Sequence, residues 1–270
     1  MIPRPESLGE QYSARFQDQS VVDRYHLRPV YPLETFALLN GLIVDKPRTV
    51  LDVGCGPGNV ARPLAEYAER IDAVDISLPM LARAREMPGG ASPKLRWLHG
   101  RAEDVELQPP YALITAGESL HWMDWGVVLP RFAQLLTPRG VLAIVSTEEQ
   151  SVPWREGYQQ IVRRFSNNPN YKPVDLIAEF EKYGLFQKQG ERVTSPVPLR
   201  QTIADYTAAQ HARSALSLDT MTAEQAAQFD AEMAALLAPF AQDGVITVQV
   251  AGHVVWGRPL VGTKRGGEEV

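Results

Sequence analysis

The chain has a single cysteine, Cys55, among 270 residues. A lone thiol excludes a disulfide framework, a zinc site built on several cysteines, and any chemistry that needs several thiols; no metal site is expected. Apolar runs are short, and none approaches the roughly 18 residues of a membrane span. The opening MIPRPESLGEQ lacks the apolar stretch of a signal peptide. Lysine and arginine form no long cluster and the net charge is -5, which argues against a large nucleic-acid footprint. The expectation is a cytoplasmic protein with neither membrane nor nucleic acid as partner, monomeric or homodimeric. Its length suits one large domain, or a core domain with a lid.

Glycine is abundant at one place. Residues 49–59 read TVLDVGCGPGN. Val50, Leu51 and Val53 form a short apolar run that fits a buried strand of a parallel sheet. Gly54, Gly56 and Gly58 then alternate with other residues, removing side chains where a backbone must turn sharply and meet a ligand closely. Asn59 to Ala65 reads as the start of a helix. A strand, a glycine turn and a helix make the first βα unit of a nucleotide-binding α/β fold. A dinucleotide fingerprint needs its third glycine one residue later, and no Gly-Lys-Ser/Thr follows to make a phosphate-cradling loop.

Asp52-Val53-Gly54-Cys55-Gly56-Pro57-Gly58 resembles the first motif of class I S-adenosylmethionine-dependent methyltransferases, an acidic residue ahead of G-x-G-x-G. Two further segments resemble a small-molecule branch of that family: Tyr25-His26-Leu27-Arg28-Pro29-Val30-Tyr31-Pro32 before the first strand, and Leu120-His121-Trp122-Met123-Asp124 after the fourth. The resemblance implies a Rossmann-like α/β fold with a seven-stranded, mostly parallel sheet, helices on both faces and a helical lid. It implies direct methyl transfer from S-adenosyl-L-methionine to an O, N or C nucleophile of a small-molecule acceptor, leaving S-adenosyl-L-homocysteine. A protein of the same fold that binds the cofactor without methylating is the alternative.

The resemblance also distributes roles. Asp52, Gly54, Cys55, Gly56 and Gly58 would form the first cofactor-binding turn. Asp75, roughly 20 residues on at the end of the second strand, would accept from the ribose hydroxyls, with Ile76 beside it and Met80 covering the adenine. Ala102 would offer a backbone N–H to adenine and Glu103 its carboxylate, with Asp104 as the other acid within reach. Gly117, Glu118 and Ser119 would border the sulfonium. Arg28 would pair with the methionine carboxylate, or belong to a segment that only packs; Tyr31 would face the methyl group. His121 is the candidate general base because imidazole titrates near neutral pH, although a histidine beside tryptophan also serves as a loop anchor.

Along the chain, a helical cap is expected over residues 1–45, with 1–10 an unpacked arm. The cofactor-binding core spans 46–146, lid insertions and a sixth strand 147–240, a C-terminal strand 241–262 and a tail 263–270. Within the lid, Trp154, Tyr158, Phe165, Tyr171, Phe180, Tyr183 and His211 are candidates to select the acceptor, or to pack its helices.

Overall fold

Val50, Leu51 and Val53 are completely buried, as a strand covered on both faces requires. The structure, a computed structural model, describes residues 8–168 and 171–261. The chain begins with α1 (Glu10–Ser13), α2 (Gln19–Arg24) and α3 (Leu33–Leu42). It then alternates through β1 (Thr49–Val53), α4 (Ala61–Leu64), β2 (Arg70–Asp75), α5 (Leu78–Glu86), β3 (Leu95–His99), β4 (Tyr111–Gly117), α6 (Trp125–Leu135) and β5 (Leu136–Glu149). The last part carries α7 (Arg155–Phe165), α8 (Leu176–Lys182), β6 (Phe186–Val193), β7 (Val197–Thr202), α9 (Ile203–Gln210), α10 (Ala223–Leu237) and β8 (Val245–Pro259).

The strands lie in the order β3-β2-β1-β4-β5-β8-β6, with β7 also on β8. The five from β3 to β5 are parallel; β8 runs antiparallel to β5, β6 and β7. Alternate residues along a strand serve opposite faces. Val50, Leu113 and Val254 pack with Leu39 of α3, Leu64 and Leu81, whereas Leu51, Ile114 and Val255 pack with Phe132 of α6 and Phe180 of α8. The fold is therefore the expected α/β one, a mostly parallel sheet with helices on both faces.

The strand count differs from expectation. Eight strands occupy seven positions, because β6 and β7 follow one another along the same edge of β8: Val193 opposes His253 and Val197 opposes Val250. Pro196, which has no N–H to give a ladder, lies in the break. The helix after the glycine turn is also shorter than expected, a single turn, α4, that contains Pro63. Leu8 is buried among the core residues that include Ala102 and Met123, so the arm is packed from Leu8 onward; residues 1–7 and the tail from 262 lie outside the described residues.

The lid divides as well. Phe180 packs edge-on against Trp125 at 5.1 Å and, with Tyr183, belongs to the core under the sheet rather than over its carboxyl edge. The remaining insertion is a separate layer, in which Trp154, Ile161, Phe229 and Met233 pack on Ile246, Val248 and Val250. That part of β8 extends past its pairing with β5, which ends at Val250; β7 and the helical layer cover it. His211 is a strut here, bonded to Leu216 O and Asp230 Oδ1 at 2.9 Å each.

The N-terminal cap sits between core and lid. Val21 and Val22 pack on Met80 with Phe16 and Tyr25. Ser217 Oγ donates to Asp18 Oδ2 at 3.0 Å and Gln201 Nε2 to Leu27 O at 2.8 Å. On the core side Ser77, the N-cap of α5, accepts from Met80 N and donates through Oγ to Phe16 O at 2.8 Å. Ser77→Ala removes both bonds; the expected loss is about 1 kcal/mol in urea unfolding, and a stability equal to wild type would show that the cap is held elsewhere.

Candidate active site

The order of the sheet reverses between β1 and β4: the chain builds outward through β2 and β3 on one side, then returns to lay down β4 and β5 on the other. A crevice opens at such a point, beyond the carboxyl ends of the two central strands. Gly54 follows β1 there, and Gly117 ends β4. Gly54 has φ +63°, and a Cβ on it would lie 2.4 Å from Ser119 Cβ. Ser119 Oγ in turn donates to Val53 O at 2.6 Å, so the two strand ends are drawn together over a glycine. Gly56, at φ +52°, has only the Tyr25 ring within 4 Å of an added Cβ; its face is open. Gly58 differs: its Cβ would run into Trp97 at 2.5 Å, and it lies off the cavities.

Asp75 holds the turn. Its Oδ2 accepts from Gly56 N at 2.7 Å and its Oδ1 from Ser77 N at 2.8 Å. Burial pushes its pKa upward against these two bonds. Each oxygen keeps a further lone pair, so the carboxylate can still receive hydroxyl protons.

A cavity of about 250 Å³ fills the crevice. Gly54, Gly56, Asp75, Ile76, Met80, Ala102, Glu103, Gly117, Glu118 and Ser119, ten of the expected residues, line it. Glu103 Oε1 accepts from Asp124 N at 2.9 Å and thereby joins the loop after β3 to the start of α6. The cap supplies the roof with Ser13, Ala14, Phe16, Gln17 and Tyr25. Phe16 meets Trp122 edge-on at 5.9 Å and Tyr25 at 6.5 Å. Ser13, Ala14 and Gln17 had no sequence signal; only the folded path of the N-terminal cap brings them over the sheet edge.

A small recess continues from this cavity, sharing Tyr25, Gly54 and Gly117 and adding Tyr31, Asp52 and Cys55. Thr115 Oγ1 donates to Asp52 Oδ1 at 2.8 Å, while Oδ2 is buried with no hydrogen-bond partner among the described residues. Burial pushes the Asp52 pKa up to about 7, with Thr115 and the nearby Ala61 N–H opposing and the Asp75 charge adding to the rise. Burial likewise raises the Cys55 thiol well above its ordinary value, so this cysteine is not an activated nucleophile. Tyr31, also raised by burial, points its hydroxyl toward Gly117.

A third cavity, about 360 Å³, lies between the sheet edge and the lid, with Arg28, Glu118, Trp154, Arg155, Tyr158 and Arg213 on its walls. Glu118 is the one residue common to the walls of this cavity and the first. It holds φ +53°, uncommon for a side chain other than glycine, and its Oε1 accepts from Thr147 N at 3.0 Å. Arg28 therefore borders the lid cavity instead of the first one, where a methionine carboxylate was expected to meet it. Its Nη1 donates to Tyr25 Oη at 3.4 Å, and its guanidinium lies over that ring at 5.1 Å.

His121 is on none of these three cavity walls. Its half-buried ring sits against Trp122, centroids 4.6 Å apart. Burial first, then the Arg28 charge, push its pKa down to about 4. A base that weak, placed off the cavity, is not suited to deprotonating an acceptor; the contact the ring makes is its packing on Trp122. No cluster of metal-ligating side chains occurs among the described residues, and no helix among them is long and apolar enough to cross a membrane.

Residues 50–140 match a family described as "Methyltransferase domain". The chain is 37% identical over 112 residues to an uncharacterized methyltransferase of Mycobacterium tuberculosis, a match covering 41% of this chain and 56% of that one. It is 36% identical over 110 residues to a trans-aconitate 2-methyltransferase of Azoarcus sp., covering 40% and 42%. The match thus spans about half the length of these curated relatives. A solved structure from Anaeromyxobacter dehalogenans, assigned as a type II methyltransferase, superposes with a TM-score of 0.63 at 22% identity, over 86% of this chain and 98% of the other. In fold, the core is that of the methyltransferases.

The Asp52 pKa of about 7 in the fold exceeds its unfolded value of about 3.9. The fold then binds the extra proton between those values, and stability declines as pH rises from about 4 to about 7. Urea unfolding at stepped pH checks this: relative to Asp52→Asn, the wild type should lose stability across that window and stay level above it.

Proposed function

We propose that the protein is an S-adenosylmethionine-dependent methyltransferase acting on a small-molecule acceptor. The observation that carries the reading is the convergence of a bare glycine turn and the Asp75 carboxylate on the first cavity at the switch point of the sheet, with Asp52 on the adjoining recess. These residues fit an amino-acid nucleoside. Gly54 and Gly56 let its backbone-facing side approach without a side chain in the way. Asp75 accepts from ribose hydroxyls. Ile76, Met80 and Ala102 give apolar contact for a purine, with Glu103 as hydrogen-bond acceptor. Asp52 Oδ2 takes the amino group, the one ligand part that is both cationic and small enough for the recess.

Bound there, the cofactor supplies a methyl group on a positively charged sulfur, which the lone pair of an acceptor displaces, the breaking bond's electrons staying on the sulfur. The chain's own contribution is alignment and exclusion of water. Phe16, Tyr25 and Trp122 roof the cavity, and aromatic faces attract a cation. Glu118 stands where the cofactor cavity meets the lid cavity, which is the path an acceptor would use. A second cavity on the other side of Glu118 favours a transferase over a protein that only holds the cofactor. The Azoarcus relative is named for trans-aconitate, a small molecule of a size that suits such a chamber.

Calorimetry with S-adenosylhomocysteine tests the binding half. Asp75→Ala should weaken it at least tenfold, because both the ribose contact and the shape of the turn are lost. Affinity should rise with pH through about 7 as Asp52 ionises to meet the ammonium, and Asp52→Asn should bind more weakly with no such rise. Labelled methyl transfer to a small-molecule panel tests the second half, with His121→Ala expected within about threefold of wild-type turnover and its pH profile unchanged between 6 and 8. Absence of binding by folded protein would end the reading.

A further inference from the structure

The lid cavity has more donors than acceptors. Three guanidiniums, Arg28, Arg155 and Arg213, face it against two carboxylates, Glu118 and Glu149. None of the three is closed into a hydrogen-bonded ion pair among the described residues. Arg28 gives its bond to the Tyr25 hydroxyl. Arg155 Nη2 donates to the main-chain oxygen of Glu149 at 3.3 Å. Arg213 comes no nearer than 3.8 Å to Glu149 Oε1, outside hydrogen-bond distance. Glu118 already spends Oε1 on Thr147. On the same walls Trp154, only 4% exposed, turns its indole toward Tyr206.

Buried or half-buried donors left open are costly unless something completes them. A group that only accepts, carries negative charge and offers two oxygens in one plane completes a guanidinium best. A cationic acceptor would instead meet three like charges. Arg155 is exposed, while Arg213 is half-exposed and stands 3.8 Å from Glu149. Trp154 and Tyr206, ring centroids 6.3 Å apart and nearly perpendicular, form an aromatic corner on the same walls.

We infer that the lid cavity binds a small organic acid as the methyl acceptor, with Arg213, aided by Arg28, as the residue that selects its carboxylate. The inference rests on the methyltransferase reading for the word acceptor; the anion site itself does not. It also removes the need for a base when the carboxylate is itself methylated, since at neutral pH such a group already presents its lone pairs without losing a proton.

The test uses the full chain saturated with S-adenosylhomocysteine and reads binding by calorimetry. Trans-aconitate, citrate and malonate are compared with their uncharged amides. At least one acid should bind ten times or more tighter than its amide, and more weakly as salt is raised. Arg213→Gln should weaken that acid at least tenfold while S-adenosylhomocysteine affinity stays within twofold, and Arg213→Lys should recover part of the loss. Should Arg213→Gln fail to fold, Arg28→Gln serves the same comparison. Amides that bind as tightly as acids, no acid binding below 10 mM (about 2.7 kcal/mol at this limit), or full acid affinity in both glutamine variants would each overturn the inference. The same titrations without the nucleoside separate the two claims: acid binding with no nucleoside binding sinks the methyltransferase reading alone, and nucleoside binding with no acid binding sinks this one alone.

Discussion

The Asp75 carboxylate is the point through which the parts of the site are held to one another. It receives one N–H from the glycine turn and one from the start of α5, so a single side chain at the end of β2 sets the shape of the loop after β1 and the direction of the next helix. Ser77, two residues on, extends the chain of contacts to the cap by bonding Phe16 O. A charged group buried to this degree is tolerated when its oxygens are hydrogen-bonded, and here the bonds come from main chain, which cannot swing away. The ligand side of the carboxylate is thereby held before any ligand arrives, which is what preorganisation means in energetic terms.

A second constraint is the length of β8. Residues 250–257 pair with β5 and complete the sheet, but the strand continues to Val245 with β7 alone. That overhang supports the layer of α7, α9 and α10, and the layer holds Trp154, Tyr158 and Arg213 opposite Glu118. The break at Thr194 to Pro196 lets β7 pair past the end of β6, with Thr194 N still bonded to Gly252 O at 2.8 Å. Lid position is consequently a property of sheet register, and a slip there would turn every lid-facing residue of β8 to the wrong side.

What could be read from the sequence follows the range of the interactions. The glycine turn, Asp75 and the Ala102–Glu103 loop are local signals: each sits just past an apolar strand, and each lines the first cavity. Gly58 shows the limit of that reading, because its absent side chain makes room for Trp97 from β3, a contact 39 positions away that no motif announces. The segment around Arg28 was legible as a proline-fixed feature, but its side chain turns to the lid cavity. Arg213, Arg155 and Tyr206 were not legible at all. Their helices can be read from the pattern, but no motif marks these side chains, and only β8 places them beside the sheet. Phe180 and Tyr183 were read as lid aromatics because composition cannot tell which face of a sheet a helix will cover.

The two cavities differ in the sign of what they lack. The first has three carboxylates, Asp75, Glu103 and Glu118, against one guanidinium, Arg101, with Asp52 on the adjoining recess, and so favours a ligand with hydroxyls, an amine and a positive centre. The lid cavity has three guanidiniums against two carboxylates, and so favours an acceptor-only, negatively charged ligand. Oppositely charged ligands in adjoining chambers attract each other across the shared wall, most strongly once water is excluded. Glu118 is that wall, and its backbone is held in a conformation that side chains seldom adopt. Strain of this kind persists only where surrounding contacts impose it; here the bonds from Glu118 N to Val145 O and from Thr147 N to its carboxylate do so. The position of the boundary between the two chambers is therefore built into the β4–β5 edge, and the side chains of either chamber can vary without moving it.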